Sequence, residues 1–528
     1  MTRFDFLIVG SGAAGAAAAW RLTAKGYKVA CIERGDWVDP SEYPTTSVDW
    51  EIKKKTLTPV ISERQNIYDY PVNDKESPIA LCNFNAVGGS TILYSGHFPR
   101  FQPRDFQINT MDGISEDWPI KYQSLKKYFE INEYQMSVSG LTGDPYYPDI
   151  HDLLPPIPLG KVGVTLAKAF NSKGWHWWPS YAAISTRNTR ARSACINLGP
   201  CNTGCPQGAK SSTDITYVQR AISQGLVLIT KAAVFEIIVE NNRAVGVRYH
   251  DEHATVHEIS ARHVILAASA IGTPRILLNS RENEYPHGLG NSSGLLGCNL
   301  MLHPLGYVEG LFKQEYDVDI GPQGCMLFSL ENYRSENSDF KLGYMMQALR
   351  GSAPVDTALT LLRRRQLRFG SQLYSDFYSY FRKQLSMTVV CEDLPEKHNC
   401  ITLNHEEKDR FGIPGITLRY RLNKNTKLSL SHGLKAAKSL MKEAGAITSF
   451  AYGPVRNAGW HVMGTAKMGK NPKNSVVNPI GKLHDLDGLY IVDSSVFVTG
   501  SCVNPANTIQ SVALYLTDRI ERHARYET

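Results

Sequence analysis

Phe4 to Val9 is apolar except for Asp5 and runs directly into Gly10-Ser11-Gly12-Ala13-Ala14-Gly15. Ala16 to Ala24 is strong helix-forming sequence, Gly26 stops it, and Tyr27 to Ile32 is a second apolar strand with Glu33 at its carboxyl end. No other stretch restricts the fold as tightly. A glycine turn between a buried strand and a helix lets backbone N–H groups approach a pyrophosphate, and an acid about twenty residues on can accept hydrogen bonds from an adenosine ribose. The charge of Glu33 also disfavours a 2′-phosphate. The alternative is a glycine turn with no ligand. The spacing predicts an α/β, Rossmann-like unit that binds a dinucleotide.

Further along, residues 36–77 are irregular and Gly88-Gly89-Ser90-Thr91 begins a second glycine turn. A helical stretch opens at Trp118-Pro119-Ile120 and runs through Tyr128 and Tyr134. Strand periodicity at 226–239, 244–250 and 255–259 predicts a three-stranded meander, followed by a separate buried strand over 263–268 that leads into a helix at 274–278. A last buried strand, Leu489 to Val492, ends in Asp493, and a helix closes the chain from Thr508 to His523 with Asn507 as its cap. Pieces of the dinucleotide fold at both ends imply interleaving. Residues 1–50, 78–110, 205–300 and 455–528 are expected to form the cofactor domain. Residues 51–77, 111–204 and 301–454 are expected to form an α+β, sheet-and-helix substrate domain and cap.

With 42% hydrophobic and 20% charged residues among 528, the chain can bury a large core and is neither disordered nor fibrous. No apolar run reaches the length of about 18 residues that a membrane-spanning helix needs. The strand beginning at Phe4 leaves no room for a secretory leader, so a cytoplasmic protein is expected. The net charge of +7 is spread over a large surface and does not imply a nucleic-acid partner. Arg350, Arg363, Arg364, Arg365 and Arg368, interleaved with leucines, read as a solvated helix face, with a membrane or partner contact as the alternative. Ten cysteines are too few for a disulfide scaffold, yet Cys195, Cys201 and Cys205 cluster.

Five blocks in order then identify a family. They are Gly10 to Gly15 with Glu33; Val87 to Thr91, continued by Arg100 to Phe106 and Asp117 to Ile120; Ser269 to Leu278; Trp460 to Gly469; and Leu489 to Asp493 with Asn504 to Thr508. The chain resembles the glucose–methanol–choline (GMC) flavoprotein oxidoreductases over nearly its whole length. It departs from the pattern at Arg281, where the family has glycine. The resemblance implies FAD, held by Gly10, Ser11, Gly12, Ala13, Ala14, Gly15, Glu33, Arg34, Gly88, Gly89, Ser90, Thr91, Tyr94, Ser95, Val234, Ala268, Asp493, Asn504 and Thr508. Some relatives tether FAD to a histidine just after the double glycine. Here that stretch has none, and His97 comes several positions too late, so non-covalent FAD is expected.

The resemblance also makes His461 the catalytic base and Asn504 its partner. The chemistry agrees: an alkoxide expels hydride far more readily than an alcohol, and a neutral imidazole is a natural proton acceptor. An amide donates to the developing alkoxide without competing for its proton.

Cys195, Cys201 and Cys205, with glycines and Pro206, suit a three-iron, four-sulfur cluster such as that of bacterial sugar dehydrogenases in this family, or else a compact loop without metal. Both readings stand. The expected substrate is a polar, sugar-like alcohol, with the 6′-hydroxyl of an aminoglycoside precursor such as paromamine as the specific expectation. Simple sugars, polyols, choline-type alcohols and hydroxysteroids are alternatives, and a non-catalytic flavin-binding protein is a remote one. Glu392 and Asp393 could pair with a cationic substrate or form a surface turn, and Gln347, Tyr374 and Tyr378 could bond its hydroxyls. The electron acceptor, whether oxygen, quinone or protein, is left open.

Overall fold

Strand β1 (Phe4–Val9) lies between two parallel neighbours, β2 (Val29–Ile32) and β8 (Val256–Leu266). The computed structural model describes residues 4–43, 51, 58–64, 66–189, 192–199, 201–334, 339–350 and 354–526. Beyond β2 lies β5 (Val227–Ile229), and β16 (Leu489–Ile491) pairs with β8 on its other side. Phe6, Leu7 and Ile8 are at most 1% exposed, as expected for a parallel strand covered on both faces. The helices Ala13–Thr23 and Ala506–Ala524 pack on each other, so both ends of the described chain build one layer. The interleaved α/β architecture follows from this strand order.

One expectation needs correction. The meander's third strand and the buried strand after it are a single strand, β8. Its first half pairs antiparallel with β7 (Arg243–His250), which pairs with β6 (Ala233–Glu240); its second half enters the parallel layer. Burial changes midway, from mostly exposed to almost wholly buried, and so breaks the periodicity.

The second layer is an antiparallel sheet in the order β15 (Thr448–Tyr452), β9 (Leu305–Leu311), β12 (Gln384–Cys391), β11 (Tyr344–Leu349), β10 (Leu327–Ser329) and β4 (Trp178–Pro179). Leu430, Ala437, Leu440 and Met441 of the helix Lys424–Glu443 are buried and that helix covers β9, β12 and β11. Register sets Tyr307 opposite Thr388 and Thr388 opposite Gln347, so one row of side chains crosses three strands. A third, small sheet joins β13 (Cys400–Lys408) to β14 (Pro414–Arg419) and β3 (Val72–Asn73).

The irregular stretch expected at 36–77 lies partly outside the described residues, as do Pro200 and the side chain of Arg363. The remaining arginines do not form a uniformly solvated face. Arg350 is buried against Asp317 at 2.9 Å, Arg364 meets Glu309 at 2.5 Å, and Arg368 meets Asp376 at 2.6 Å. No helix among the described residues is long and apolar enough to cross a membrane.

Candidate active site

Two cavities adjoin, sharing Ala13, Ser90, Thr91, Trp460 and Ile509 as walls. The first opens at the carboxyl ends of β1 and β8, where strand order reverses and α/β sheets leave a crevice. Gly10, Gly12, Ala13, Ala14, Glu33, Arg34, Gly89, Ser90, Thr91, Val234, Ala268 and Asp493 line it. No side chain caps the helix that starts after Gly12, which leaves its first N–H groups available to a phosphate. A Cβ on Gly15 would lie 1.8 Å from the Gly10 carbonyl oxygen, and one on Gly89 would lie 2.9 Å from the Gly12 Cα. Only glycine allows these backbones so close.

Ser11 spends its N–H and hydroxyl on Glu33 Oε2, each at 2.8 Å, and Gly35 N–H donates to Oε1 at 2.9 Å. This fixes the carboxylate at the crevice wall. Asp493 accepts from the Thr273 hydroxyl at 2.6 Å and from Ser495 N–H at 2.9 Å, while burial pushes its carboxyl above the usual range. The long crevice, with a glycine-bound helix start and a buried acid at the end of β2, fits an adenine dinucleotide.

Several expected contacts fall elsewhere. Ser11, Gly15 and Gly88 shape the turns without lining the crevice. Thr508 is buried, its hydroxyl accepting from Phe101 N–H at 3.1 Å, and it lines neither cavity. Asn507 caps nothing: its amide donates to Phe98 O and Glu133 and accepts from Asn132. The last helix starts at Ala506 instead.

The second cavity has the row Tyr307, Thr388 and Gln347, with Leu305, Leu349 and Val390, on the sheet side. Tyr94, Ser95, His97, Asn202, His461 and Asn504 add to its walls. Among the described residues, none of its lining side chains is acidic, lysine or arginine.

A single hydrogen-bonded row crosses this wall. His303 Nε2 lies 2.9 Å from the Gly500 carbonyl, and His303 Nδ1 lies 3.1 Å from His461 Nδ1. His461 Nε2 lies 3.2 Å from Asn504 Nδ2, and Asn504 Oδ1 lies 2.7 Å from His97 Nδ1. A carbonyl only accepts, so the proton on His303 sits on Nε2 and leaves Nδ1 with a lone pair. His461 therefore donates from Nδ1, and its Nε2 carries the lone pair that takes the Asn504 donor. Burial holds His303 and His97 down to about 4, which keeps both neutral. Enclosure, then His303 and His97, hold His461 well below the usual imidazole range. The row sets the unprotonated Nε2 of His461 beside the Asn504 amide donor at the cavity.

Sequence reasoning missed His303 and set aside His97. The available signal was that His97 follows the second glycine turn within the same block; nothing marks His303, which meets its partner across 158 positions.

Two further expectations are corrected. Glu392 is 1% exposed and pairs with Arg334 at 2.7 Å; Asp393, also 1% exposed, accepts from Tyr420 at 2.7 Å and from Leu302 N–H at 3.2 Å. They are interior anchors, neither a surface turn nor a lining of the cavity. Tyr374 and Tyr378 are 73% and 66% exposed on the helix Leu373–Tyr380, whereas Gln347 does line the cavity.

The cysteine loop also differs from the cluster reading. Cys195 Sγ faces Asn197 Oδ1 at 3.8 Å, Cys201 Sγ faces the Gly199 carbonyl at 3.8 Å, and Cys205 Sγ accepts from Lys210 N–H at 3.5 Å. The Lys210 ammonium is buried beneath the loop and donates to the carbonyls of Ile92, Tyr94 and Cys201 at 2.6–2.7 Å. Burial lowers Lys210 to about 8. Among the described residues no group of three His, Cys, Asp or Glu is placed to hold a metal. The three thiols, each turned to a different polar partner, do not converge on one point and do not fit an iron–sulfur cluster.

Models of the GMC oxidoreductase N- and C-terminal regions match residues 4–305 and 395–513. The chain is 37% identical to a 2-methyl-1,2-propanediol dehydrogenase of Mycolicibacterium austroafricanum, over 98% of this chain and 95% of that one. It is 26% identical to a paromamine 6'-oxidase of Streptomyces fradiae, over 99% and 93%. It is 24% identical to the fructose dehydrogenase large subunit of Gluconobacter japonicus, over 98% and 97%. The fold is similar to a crystal structure of pyridoxine 4-oxidase from Mesorbium loti, with TM-score 0.67, 16% identity and coverage of 99% and 100%. Family matches on both halves and a relative of this identity along nearly the whole length complete what the crevice and the histidine row indicate: the chain belongs to the GMC oxidoreductases, as an alcohol oxidoreductase.

Proposed function

We propose that the protein oxidises a small neutral alcohol bearing a second oxygen function, such as a short vicinal diol, with non-covalent FAD in the first cavity. The observation that carries this reading is the second cavity, where polar but uncharged side chains sit beside His461 and Asn504. The helix start at Gly12, Glu33, the Gly89 turn and Asp493 would hold FAD, which when bound supplies the acceptor for a hydride. His461 takes the hydroxyl proton on Nε2 while the C–H bond gives up hydrogen with its electron pair, leaving a carbonyl product. Asn504 Nδ2 turns its donor onto the substrate oxygen and stabilises the charge that builds there. His303 keeps the base in the correct tautomer and accepts from Nδ1 throughout. Gln347 and Thr388 are placed to bond a second hydroxyl.

An aminoglycoside precursor fits less well. Its ammonium would meet no carboxylate here, and leaving a buried charge unpaired costs several kcal/mol. The diol dehydrogenase relative points the same way. Anaerobic bleaching of the flavin by a panel of short diols, glucose, an amino sugar and choline tests this. The neutral diols should bleach fastest, and faster bleaching by the amino sugar or choline than by every neutral alcohol would reject the neutral-substrate reading.

A further inference from the structure

The proposed chemistry needs Asn504 to present nitrogen, not oxygen, to the reacting alcohol. An amide is nearly symmetrical in shape, so packing alone does not fix which end faces the cavity. The Asn504 amide touches two side chains through hydrogen bonds, His461 through Nδ2 and His97 through Oδ1. The His97 contact is the shorter, at 2.7 Å against 3.2 Å.

His97 is well placed to hold that end. Its backbone is pinned because Ala183 N–H donates to the Gly96 carbonyl and Phe98 N–H donates to the Tyr181 carbonyl. Its ring stands edge-on to fully buried Phe328, with centroids 5.6 Å apart. Only 1% of the residue is exposed, and its Nε2 has no hydrogen-bond partner among the described residues. The link to Asn504 is therefore the ring's one polar tie. An apolar side chain would fill the space without leaving a bare nitrogen, so the imidazole has its use in that tie.

We propose that His97 is a positioning residue for alcohol oxidation: its Nδ1–H holds Asn504 Oδ1 and so aims Nδ2 at His461 Nε2 and at the substrate oxygen. Without it the amide can turn over and set Oδ1 against the lone pair of His461 and the developing alkoxide. The inference rests on His461 and Asn504 being the base and its partner.

Three substitutions in the FAD-loaded protein separate positioning from packing. His97→Leu removes the donor. His97→Asn returns an N–H to the place of Nδ1, because both nitrogens branch directly from Cγ. His97→Gln puts its amide one bond too far. Anaerobic rapid mixing reads the limiting rate of flavin reduction apart from substrate affinity. The Leu and Gln variants should reduce flavin about 10- to 100-fold more slowly, less than the roughly 10²- to 10³-fold seen when an oriented donor is itself removed, with the flavin spectrum unchanged. Substrate affinity should move by less than about threefold, and the Asn variant should recover most of the rate. Wild-type reduction in the Leu variant, or an Asn variant no faster than Gln, would overturn the proposal; the Asn-to-Gln contrast decides it if the Leu variant does not fold. His461→Ala, run alongside, tests the underlying reading by itself: undiminished reduction there would remove the base assignment whatever His97 does.

Discussion

The histidine row and the cysteine loop both contribute to the second cavity, the row through His97, His461 and Asn504 and the loop through Asn202. The family resemblance marked His461 and Asn504 in the row, and the clustering of cysteines marked the loop. In the row, groups from distant parts of the chain converge, and one backbone carbonyl at Gly500 sets the direction of the hydrogen bonds as far as His461. In the loop, three thiols close in sequence each face a different neighbour, and the Lys210 ammonium ties the loop down through the Cys201 carbonyl. Closeness in sequence does not make a site. What matters is whether the side chains converge on one point.

The largest expected effect tests the converging side. His461→Ala should keep its FAD yet reduce it 10²- to 10⁴-fold more slowly, the usual scale for a general base. The same residue sets a pH dependence. His461 must be neutral to accept a proton and is held below its ordinary 6.5, so reduction should stay level as pH falls to 6.5 and decline only below it. An acid limb centred above 6.5 would show that the enclosure drawn here does not govern the base.

A smaller effect concerns a third place where residue type suggested chemistry. Glu392→Gln leaves Arg334 still paired with Asp105 at 2.8 Å and should cost about 3 kcal/mol of stability, the low end for a broken buried pair. The order of substrates in the bleaching panel should not change. A shift in preference toward neutral substrates in a normally stable variant would return Glu392 to the site.

The loop gives the next contrast. Lys210→Met strands three buried carbonyls and should destabilise the FAD-loaded protein by about 3 kcal/mol or more in thermal unfolding. Cys195→Ser, Cys201→Ser and Cys205→Ser should each stay within about 1 kcal/mol. Anaerobically purified protein holding about three irons per chain, lost on Cys201→Ser, would reverse this side of the comparison and make the loop a metal site.

The parts legible in the sequence were those where one local pattern dictated one outcome. The apolar run to Val9, the glycine turn and the alanine-rich helix read correctly because strand, turn and helix are each specified within a few residues. The β8 strand was split because its burial changes from one-sided to two-sided along its length. Asn507 looked like a cap by position, but its amide is consumed by Phe98 and Glu133. The His97–Asn504 contact spans 407 positions, and no periodicity reports on such a pairing. The acids at 392–393 looked available because nothing local announces Arg334 or Tyr420 as their partners.

The position of β8 also bears on how the protein is made. One of its parallel neighbours, β1, is made before it, and the other, β16, long after it. Until then the growing chain carries an open apolar strand edge of the kind that recruits stray partners. Asp493 and Asn504 follow β16 in the chain, so neither the crevice nor the wall of the second cavity is complete until that strand has been made. Cofactor capture must wait for both strands, and with FAD as that cofactor its shortage would be felt as a poor yield of soluble protein before it was felt as weak activity.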